Sequence, residues 1–440
     1  MMLEHGAIRR LNARIPYGII IPLLLIVLVG VINLSSAARA TRPDLYMSQL
    51  GRFGLALVLM TAAALIHTRI MRQLSSVVYI GALILLVLVL AVGHTAKGAE
   101  RWLVFGALRL QPSDPAKIAL VLAIARYCSL AWPVNGYSIM SLVRPFNISR
   151  PLGFLSLIVF MLIRDRHTSL IFSDQFLTST TGMSLMGGLL VGGFLWLCYS
   201  IMRFFKDGME FSSIVAPIDV AIMPFLLISV EPDLATGLIV FSLAGIMFLY
   251  VGIKRSSLLI GALTGLLVGV GAYYTVLMDY QKQRIISFLN PEADLKGEGY
   301  QAMQSIIAIG SGRVTGKGYS GGTQTQLSFL PENATDFVFS VWAEEWGFVA
   351  CVFLLLLYFV LLRSILKLAT KVDDHFSQLV CVGVAAHIFL HVFINVGMVT
   401  GILPVAGVPL PLMSFGGSSL NVTLIGIGLA MNVAIWRGEK

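Results

Sequence analysis

Long uninterrupted apolar runs, separated by short polar segments, dominate the chain. The runs do not alternate between apolar and polar residues, as the stretches 19–31 and 354–362 show, so they predict helices rather than a transmembrane barrel. A spanning helix needs about 20 apolar residues. We therefore predict an all-α, polytopic helical integral membrane protein with about 12 spans. Their approximate bounds are 17–35, 50–68, 77–94, 115–132, 152–163, 183–202, 213–229, 234–253, 257–275, 338–362, 377–399 and 418–436.

Composition excludes a water-soluble protein. Of the 440 residues, 57% are hydrophobic and only 12% are charged, and the mean hydropathy is +0.86. A soluble globule of this length cannot hide so much apolar surface. The four cysteines lie in or beside apolar runs without a CxxC pair, so we expect core residues rather than a disulfide or zinc framework.

The distribution of basic residues predicts the orientation in the membrane. The net charge of +9 would suggest a nucleic-acid partner in a soluble protein. Here Lys and Arg are more than twice as dense in the segments that face inside when the N-terminus is cytoplasmic. We therefore expect no nucleic-acid partner, and we expect both termini to be cytoplasmic.

Four polar stretches then face outward. They are 95–114, the tight turn 231–233, the long loop 280–337 and the segment 400–417. A loop as long as 280–337 is usually functional or disordered. Its many apolar residues argue against disorder, so we expect it to fold back onto the helices.

Three charged residues near the predicted outer ends of spans are candidates for chemistry. Asp114 and Lys117 lie three residues apart in the motif Gln111–Lys117 and can pair on one helix face. They form either a helix cap with a snorkelling lysine or the charged wall of an outward cavity. Asp233 follows Pro232 and either caps the next helix or faces the same cavity.

The loop segment 284–305 carries the candidate catalytic acid. Asn290 and Pro291 favour a turn, and two glycines soon afterwards permit tight backbone. Asp294, held by that turn, is a candidate general base. On chemistry alone it is one of three acids in the segment, beside Glu292 and Glu298.

Two other patterns have weaker functional interpretations. The glycines of 310–318 resemble a phosphate-binding loop but lack its spacing, so we do not expect nucleotide binding, although a glycine nest could hold a pyrophosphate. His387, His391 and Asn395 share one helix face. Two histidines four residues apart can bind zinc, but hydrogen bonds between helices are the favoured interpretation.

The Pro- and Gly-rich segment 401–419 cannot be a continuous helix. Irregular backbone near membrane depth persists only against protein or a wet cavity, so this segment is expected to line the site.

In order along the chain, these motifs resemble those of the SEDS family (shape, elongation, division and sporulation proteins, with RodA and FtsW branches). The resemblance covers nearly the whole chain except about 152–212. The short N-terminal segment and the Asn33–Ala37 motif favour the RodA branch. The matching segments are Lys97–Leu103, Gln111–Lys117, Glu231–Gly237, Arg284–Gln301, Phe329–Phe337, Glu344–Gly347 and Asn395–Ser419.

The resemblance implies a peptidoglycan glycosyltransferase that polymerises lipid II during cell-wall elongation and releases undecaprenyl diphosphate. It implies that Asp294 is the catalytic carboxylate, which deprotonates the acceptor sugar 4-hydroxyl. Basic residues would bind the diphosphate. The substrate-binding residues implied are Lys97, Arg101, Trp102, Arg109, Asp114, Lys117, Asp233, Gln304, Glu332, Ser414, Gly416, Gly417 and Ser418.

The resemblance also implies the partners, the location and a cofactor. The partners are a class B penicillin-binding protein that crosslinks the new glycan, and other membrane proteins of the elongation complex. The location is the bacterial cytoplasmic (inner) membrane. A divalent cation, Mg or Mn, could assist the leaving group, and no nucleotide or redox cofactor is expected.

Three functional alternatives remain open at this point. The first is an FtsW-like division polymerase, the second is a transporter that flips lipid II, and the third is a structural scaffold without turnover. A transporter would not need a catalytic acid in an outward loop.

The chain departs from the family pattern at three points. Leu295 stands where the family usually has Pro, and Asp114 stands where it usually has Glu. The third departure is the number of spans, since the family commonly has ten. We assign the surplus to an inserted helical pair at 152–212 within a single SEDS membrane domain, 1–440, whose large extracytoplasmic catalytic loop is 280–337.

Overall fold

The computed structural model describes most of the chain outside the N-terminus and the central insert. The described residues are 16–39, 44–92, 94–96, 99–105, 108–130, 132–133, 136–143, 217–231, 233–275, 277–291, 294, 297–327, 329–330 and 332–437.

Helices account for nearly all of the regular structure in these ranges. The helices are α1 (Tyr17–Ala37), α2 (Leu45–Leu65), α3 (Thr68–Val92), α4 (Ser113–Leu130), α5 (Ile139–Val143), α6 (Pro217–Val230), α7 (Leu234–Val251), α8 (Arg255–Thr275), α9 (Asp279–Leu289), α10 (Glu298–Ser311), α11 (Thr323–Gln326), α12 (Val338–Ala369), α13 (His375–Val399) and α14 (Gly417–Ile435).

Eight of these helices are long and apolar enough to cross a membrane, which confirms the polytopic helical class. They are α1, α2, α3, α7, α8, α12, α13 and α14. Two further predicted spans, 115–132 and 213–229, correspond to α4 and α6, which are not among these eight. Helix α4 contains three charged residues, and α6 has only 14 residues. The predicted spans 152–163 and 183–202, and with them the inserted pair 152–212, lie outside the described residues.

A small antiparallel sheet lies in the predicted outward stretch 95–114. Its strands, in spatial order, are β1 (His94–Ala96), β2 (Ala99–Phe105) and β3 (Leu108–Leu110). The all-α prediction missed this sheet. Aromatic and branched residues in β2 favour extended backbone, and the segment is too short and too polar to span.

The described residues fall into two compact units. The larger contains 1–129, 224–250 and 278–440. Within it α14 packs against α2, where a Cβ on Gly428 would lie 2.3 Å from the carbonyl oxygen of Met60, so only glycine permits this approach. The smaller contains 130–223 and 251–277.

The 280–337 loop folds back onto the helices of the larger unit, as expected. It contains α9, α10 and α11. The Ser305 hydroxyl on α10 donates to the Val399 carbonyl at the end of α13 (2.7 Å) and lies 2.7 Å from the Ser340 hydroxyl on α12. These buried contacts attach α10 to the ends of two predicted spans.

Candidate functional site

Asp294 is held in a cradle between α9 and the start of α10. Its Oδ2 accepts hydrogen bonds from the Ser287 hydroxyl (2.9 Å) and the Gly299 amide (3.1 Å), and its Oδ1 accepts from the Gly297 amide (2.8 Å). Gly297 is the N-cap of α10 and Gly299 lies in its first turn, where the helix dipole also favours a negative charge. Together these donors fix the orientation of the carboxylate.

The two glycines are required by their closeness to Asp294. A Cβ at Gly297 would lie 2.6 Å from both carboxylate oxygens, and one at Gly299 would lie 2.8 Å from the Pro291 carbonyl oxygen. The predicted turn and tight backbone are therefore confirmed, because the Asp294 amide also donates to the Pro291 carbonyl (3.2 Å).

A buried charged cluster joins α4 to α13. Lys117 Nζ donates to Asp114 Oδ1 at 2.9 Å, so the predicted pair forms although Asp114 is shorter than the usual Glu. The same ammonium lies 3.2 Å from His391 Nε2. The favoured interpretation of the histidine face, hydrogen bonding between helices, is confirmed for His391.

Asp233 caps α7. Its Oδ1 accepts from the Thr236 amide at 3.3 Å, and Gln111 Nε2 lies 3.4 Å from its Oδ2. Gln111 lies two residues before the start of α4, so Asp233 lies close to the start of the helix that carries Lys117. The capping interpretation is confirmed, whereas the cavity-facing role stays a prediction.

The Pro- and Gly-rich segment before α14 packs against the turn 332–337. Ser414 Oγ donates to the Thr335 carbonyl (2.5 Å), and the Thr335 hydroxyl donates to Glu332 Oε2 (2.9 Å). Asn395 on α13 donates to the carbonyls of Asp336 (2.8 Å) and Val408 (2.7 Å). The sequence-distant Glu332 and Ser414 are thus brought into one hydrogen-bonded cluster.

The last two turns of α13 organise these groups. Three residues recur every four positions on one face of α13. His391 contacts Lys117, Asn395 donates to the Val408 carbonyl in the irregular segment, and the Val399 carbonyl accepts from Ser305 on α10. Eight residues of helix span about 12 Å. The charged pair, the irregular segment and the helix that begins beside Asp294 therefore meet at the same end of α13.

The glycine-rich segment 310–318 packs against a break in α12. Gly347 has φ 74° and interrupts α12, and the freed carbonyls of Glu344 and Glu345 accept from the amides of Lys317 (3.1 Å) and Gly318 (2.9 Å). Because those amides already donate hydrogen bonds within the protein, the interpretation of this segment as a pyrophosphate-binding nest is wrong.

Sequence reasoning missed three polar residues that touch the site. Ser287 holds Asp294, Gln49 Nε2 donates to the Ser414 carbonyl (3.3 Å), and the Arg52 guanidinium lies 4.2 Å above the Phe415 ring. Gln49 and Arg52 lie on α2, at or near the start of an apolar run, and that position is the signal that points to them.

The remaining predicted site residues are less fully described. Lys97 lies outside the described residues, and Arg101 and Arg109 are described only as backbone positions of β2 and β3. Trp102 and Gln304 are half-buried on β2 and α10. Gly416, Gly417 and Ser418 form the start of α14.

The described part of the chain contains no group of three or more His, Cys, Asp or Glu side chains arranged to hold a metal ion. These residues do not fit a divalent cation site, so we derive no step through a metal. The cation stays a prediction.

Comparison with known proteins connects this arrangement to one family. The family model described as "Cell cycle protein" for FtsW, RodA and SpoVE matches residues 14–205 and 194–438. The peptidoglycan glycosyltransferase MrdB of Escherichia coli K12 is 34% identical over 94% of this chain and 92% of its own. The peptidoglycan glycosyltransferase RodA of Treponema pallidum is 30% identical over 88% and 89%.

Solved structures agree with these relatives. A chain from a structure described as "Structural coordination of polymerization and crosslinking by a peptidoglycan synthase complex" is 28% identical, with a TM-score of 0.69, and the match covers 96% of this chain and 98% of that one. The rod shape determining protein RodA of Thermus thermophilus is 26% identical, with a TM-score of 0.59 and the same coverage. The chain therefore belongs to the FtsW/RodA/SpoVE (SEDS) family and is a RodA-like, multi-pass membrane protein.

Proposed function

We propose that the protein polymerises lipid II into glycan strands during cell-wall elongation, with Asp294 as the base that activates the acceptor sugar. The enzyme class rests on the relatives, and the protein is a peptidoglycan glycosyltransferase like those curated under that name. The observation that supports the role of Asp294 is its cradle, in which three donors fix one carboxylate at a helix N-terminus.

The chemistry proposed at Asp294 is a single displacement. The carboxylate takes the proton from the acceptor 4-hydroxyl as that oxygen bonds to the donor anomeric carbon. The bond from that carbon to the diphosphate oxygen breaks, and its electron pair leaves with undecaprenyl diphosphate. Because the cradle orients the carboxylate, the base is positioned before substrate arrives.

Cationic side chains would stabilise the leaving diphosphate. Lys117 is the member of this set whose side chain is fixed by contacts, because it bonds Asp114 and His391 at the same end of α13 as α10. Lys97, Arg101 and Arg109 are further candidates. In the sequence, all three precede α4, which carries Lys117.

The partner and the orientation are parts of the same proposal. The structural neighbour is described by coordinated polymerisation and crosslinking in a synthase complex, which supports a class B penicillin-binding protein as partner here. The twofold bias of basic residues supports cytoplasmic termini and an outward 280–337 loop in the bacterial inner membrane. An FtsW-like division role would use the same chemistry with a different partner.

Vesicle reconstitution separates a polymerase from a transporter or a scaffold. Purified protein with its transpeptidase partner is supplied with lipid II, and glycan polymer and lipid II translocation are both measured. We expect wild type to make polymer, and we expect Asp294→Ala to make none while still binding lipid II. Asp279→Asn, at an exposed acid on α9, is the matched control and should polymerise normally.

Each rival function has its own outcome in that assay. Translocation without polymer in wild type would support the transporter. No turnover of either kind would support the scaffold. Polymer made by Asp294→Ala at the wild-type rate would remove Asp294 from the mechanism.

A further inference from the structure

We propose that His391 is a positioning residue for the leaving-group site, because it holds the Lys117 ammonium in place from α13. The inference rests on the proposed function, since Lys117 is there a ligand of the diphosphate. His391 lies 274 positions from Lys117 in sequence, and its Nε2 lies 3.2 Å from Lys117 Nζ.

The hydrogen bonds of His391 determine its tautomer. Its Nδ1 lies 2.9 Å from the His387 carbonyl oxygen, which can only accept, so Nδ1 carries a proton. In the neutral ring Nε2 then has a free lone pair. A lysine ammonium can only donate. The two contacts are therefore consistent with one arrangement, in which neutral His391 accepts from Lys117.

Burial makes this second contact to Lys117 important. Lys117 is 4% exposed, Asp114 5% and His391 1%, so water contributes little to fixing the ammonium. Of its three N–H groups, one bonds Asp114 and one bonds His391. Two fixed partners on two helices determine the position of Nζ and leave the third N–H for a ligand oxygen. Without His391, the remaining partner of the ammonium among the described residues is Asp114, three positions away on its own helix.

His387 provides a matched comparison one turn away on the same helix. Its ring lies 4.4 Å from that of His391, it is 2% exposed, and neither ring nitrogen has a hydrogen-bond partner among the described residues. Replacing its side chain leaves the backbone carbonyl that His391 uses. The two imidazoles therefore share residue type, helix and burial, and they differ in contact with Lys117.

The test compares four variants in lipid II polymerisation by the full chain with its transpeptidase partner. His391→Leu removes the acceptor. His391→Gln places a carbonyl oxygen near the Nε2 position, whereas His391→Asn is too short to reach Lys117. His387→Leu is the control. We expect kcat/KM to fall about tenfold for His391→Leu and His391→Asn, to recover in His391→Gln and to stay unchanged in His387→Leu.

Thermal unfolding of the same preparations separates positioning from packing. If His391 only packs, the loss of kcat/KM should follow the loss of stability, His391→Gln should not recover, and His387→Leu should be equally affected. Any of these results overturns the proposal. Should His391→Leu fail to fold, the Gln and Asn variants still decide. If wild type makes no polymer, the proposed function is contradicted. If the His391 variants all have the wild-type kcat/KM, only this inference is contradicted.

Discussion

At the scale of single residues, Gly297 tests the geometry of the cradle. A Cβ there would lie 2.6 Å from both oxygens of Asp294, which is a side-chain end that can move, so the fold should survive while the carboxylate is displaced. We expect Gly297→Ala to lower the polymerisation rate about 100-fold. The rate is measured with lipid II beside Gly310→Ala, since a Cβ at Gly310 meets nothing within 4 Å. Equal rates in both variants would contradict the geometry.

The candidate functional residues could be predicted where a charged side chain is energetically costly at its position. Asp114, Lys117 and Asp233 could be singled out because charges near membrane depth need partners, and each of the three has a partner three residues away. The contact of Lys117 with His391 could not be predicted, since no local pattern relates positions so far apart in sequence. The role of Asp294 came from family resemblance, because the sequence alone left three acids equivalent.

At the scale of elements, the break in α12 makes a sharp prediction about stability. A Cβ at Gly347 would lie 2.3 Å from the Gly316 amide nitrogen and 2.6 Å from the Val314 carbonyl oxygen, so backbone would have to move. Gly318→Ala is the matched control, because Gly318 also has positive φ (91°) but a Cβ there meets nothing within 4 Å. The control should cost about 1–2 kcal/mol for its backbone conformation. Gly347→Ala should cost clearly more in thermal unfolding, and equal losses would contradict the packing of 313–318 on α12.

The start of α13 predicts a pH dependence of stability. Burial raises the pKa of Asp374, but hydrogen bonds from Ser377 and Arg72 and the charge of Arg72 outweigh it, so the pKa lies below its ordinary value. A lowered pKa stabilises the fold above the unfolded-state pKa of about 3.9, and this contribution is lost as pH falls through the folded-state value.

Asp374→Ala measures that contribution. The variant also lacks the N-cap of α13, so it should lose about 1 kcal/mol at neutral pH. The gap in unfolding temperature between wild type and variant should hold down to about pH 4 and close below it. A gap that widens on acidification would show that the sign is wrong.

Element positions followed from the apolar pattern, but element ends did not. The predicted span 77–94 corresponds to a helix that begins at Thr68, and the span 338–362 to one that ends at Ala369. Hydropathy marks the part of a helix that lipid or protein covers, whereas backbone hydrogen bonds continue into polar flanks such as Arg69–Ser76. The β-sheet was missed because span prediction considers only long apolar runs.

At the scale of the whole molecule, the sequence predicts the orientation of the chain in the membrane. Thiol labelling tests this prediction. Cys128, Cys351 and Cys381 are buried, so a Cys198→Ser background should react little with a membrane-impermeant maleimide. In intact cells we expect Leu327→Cys to be labelled, because Leu327 is 64% exposed in the 280–337 loop, which we propose faces outward. Lys371→Cys, at an exposed position before α13, should react only after permeabilisation. The reverse pattern would put the proposed base on the wrong side.

The organisation of the site also belongs to this scale. Segments far apart in the chain meet at the last two turns of α13, where His391, Asn395 and Val399 each bind a different one. The repeat of His391 and Asn395 along one helix face was visible in the sequence. What that face binds depends on the packing of α4, α10 and the 401–419 segment, which no local pattern specifies.

The most direct measurement is the saturated rate of lipid II polymerisation by purified Asp294→Asn protein with its partner. Asn keeps the size of the side chain and one of its two accepting oxygens, but it cannot take the proton from the acceptor hydroxyl. Loss of a general base predicts that kcat falls about 100- to 10,000-fold while KM changes little. A kcat within a fewfold of wild type would contradict the role of Asp294 as the catalytic base.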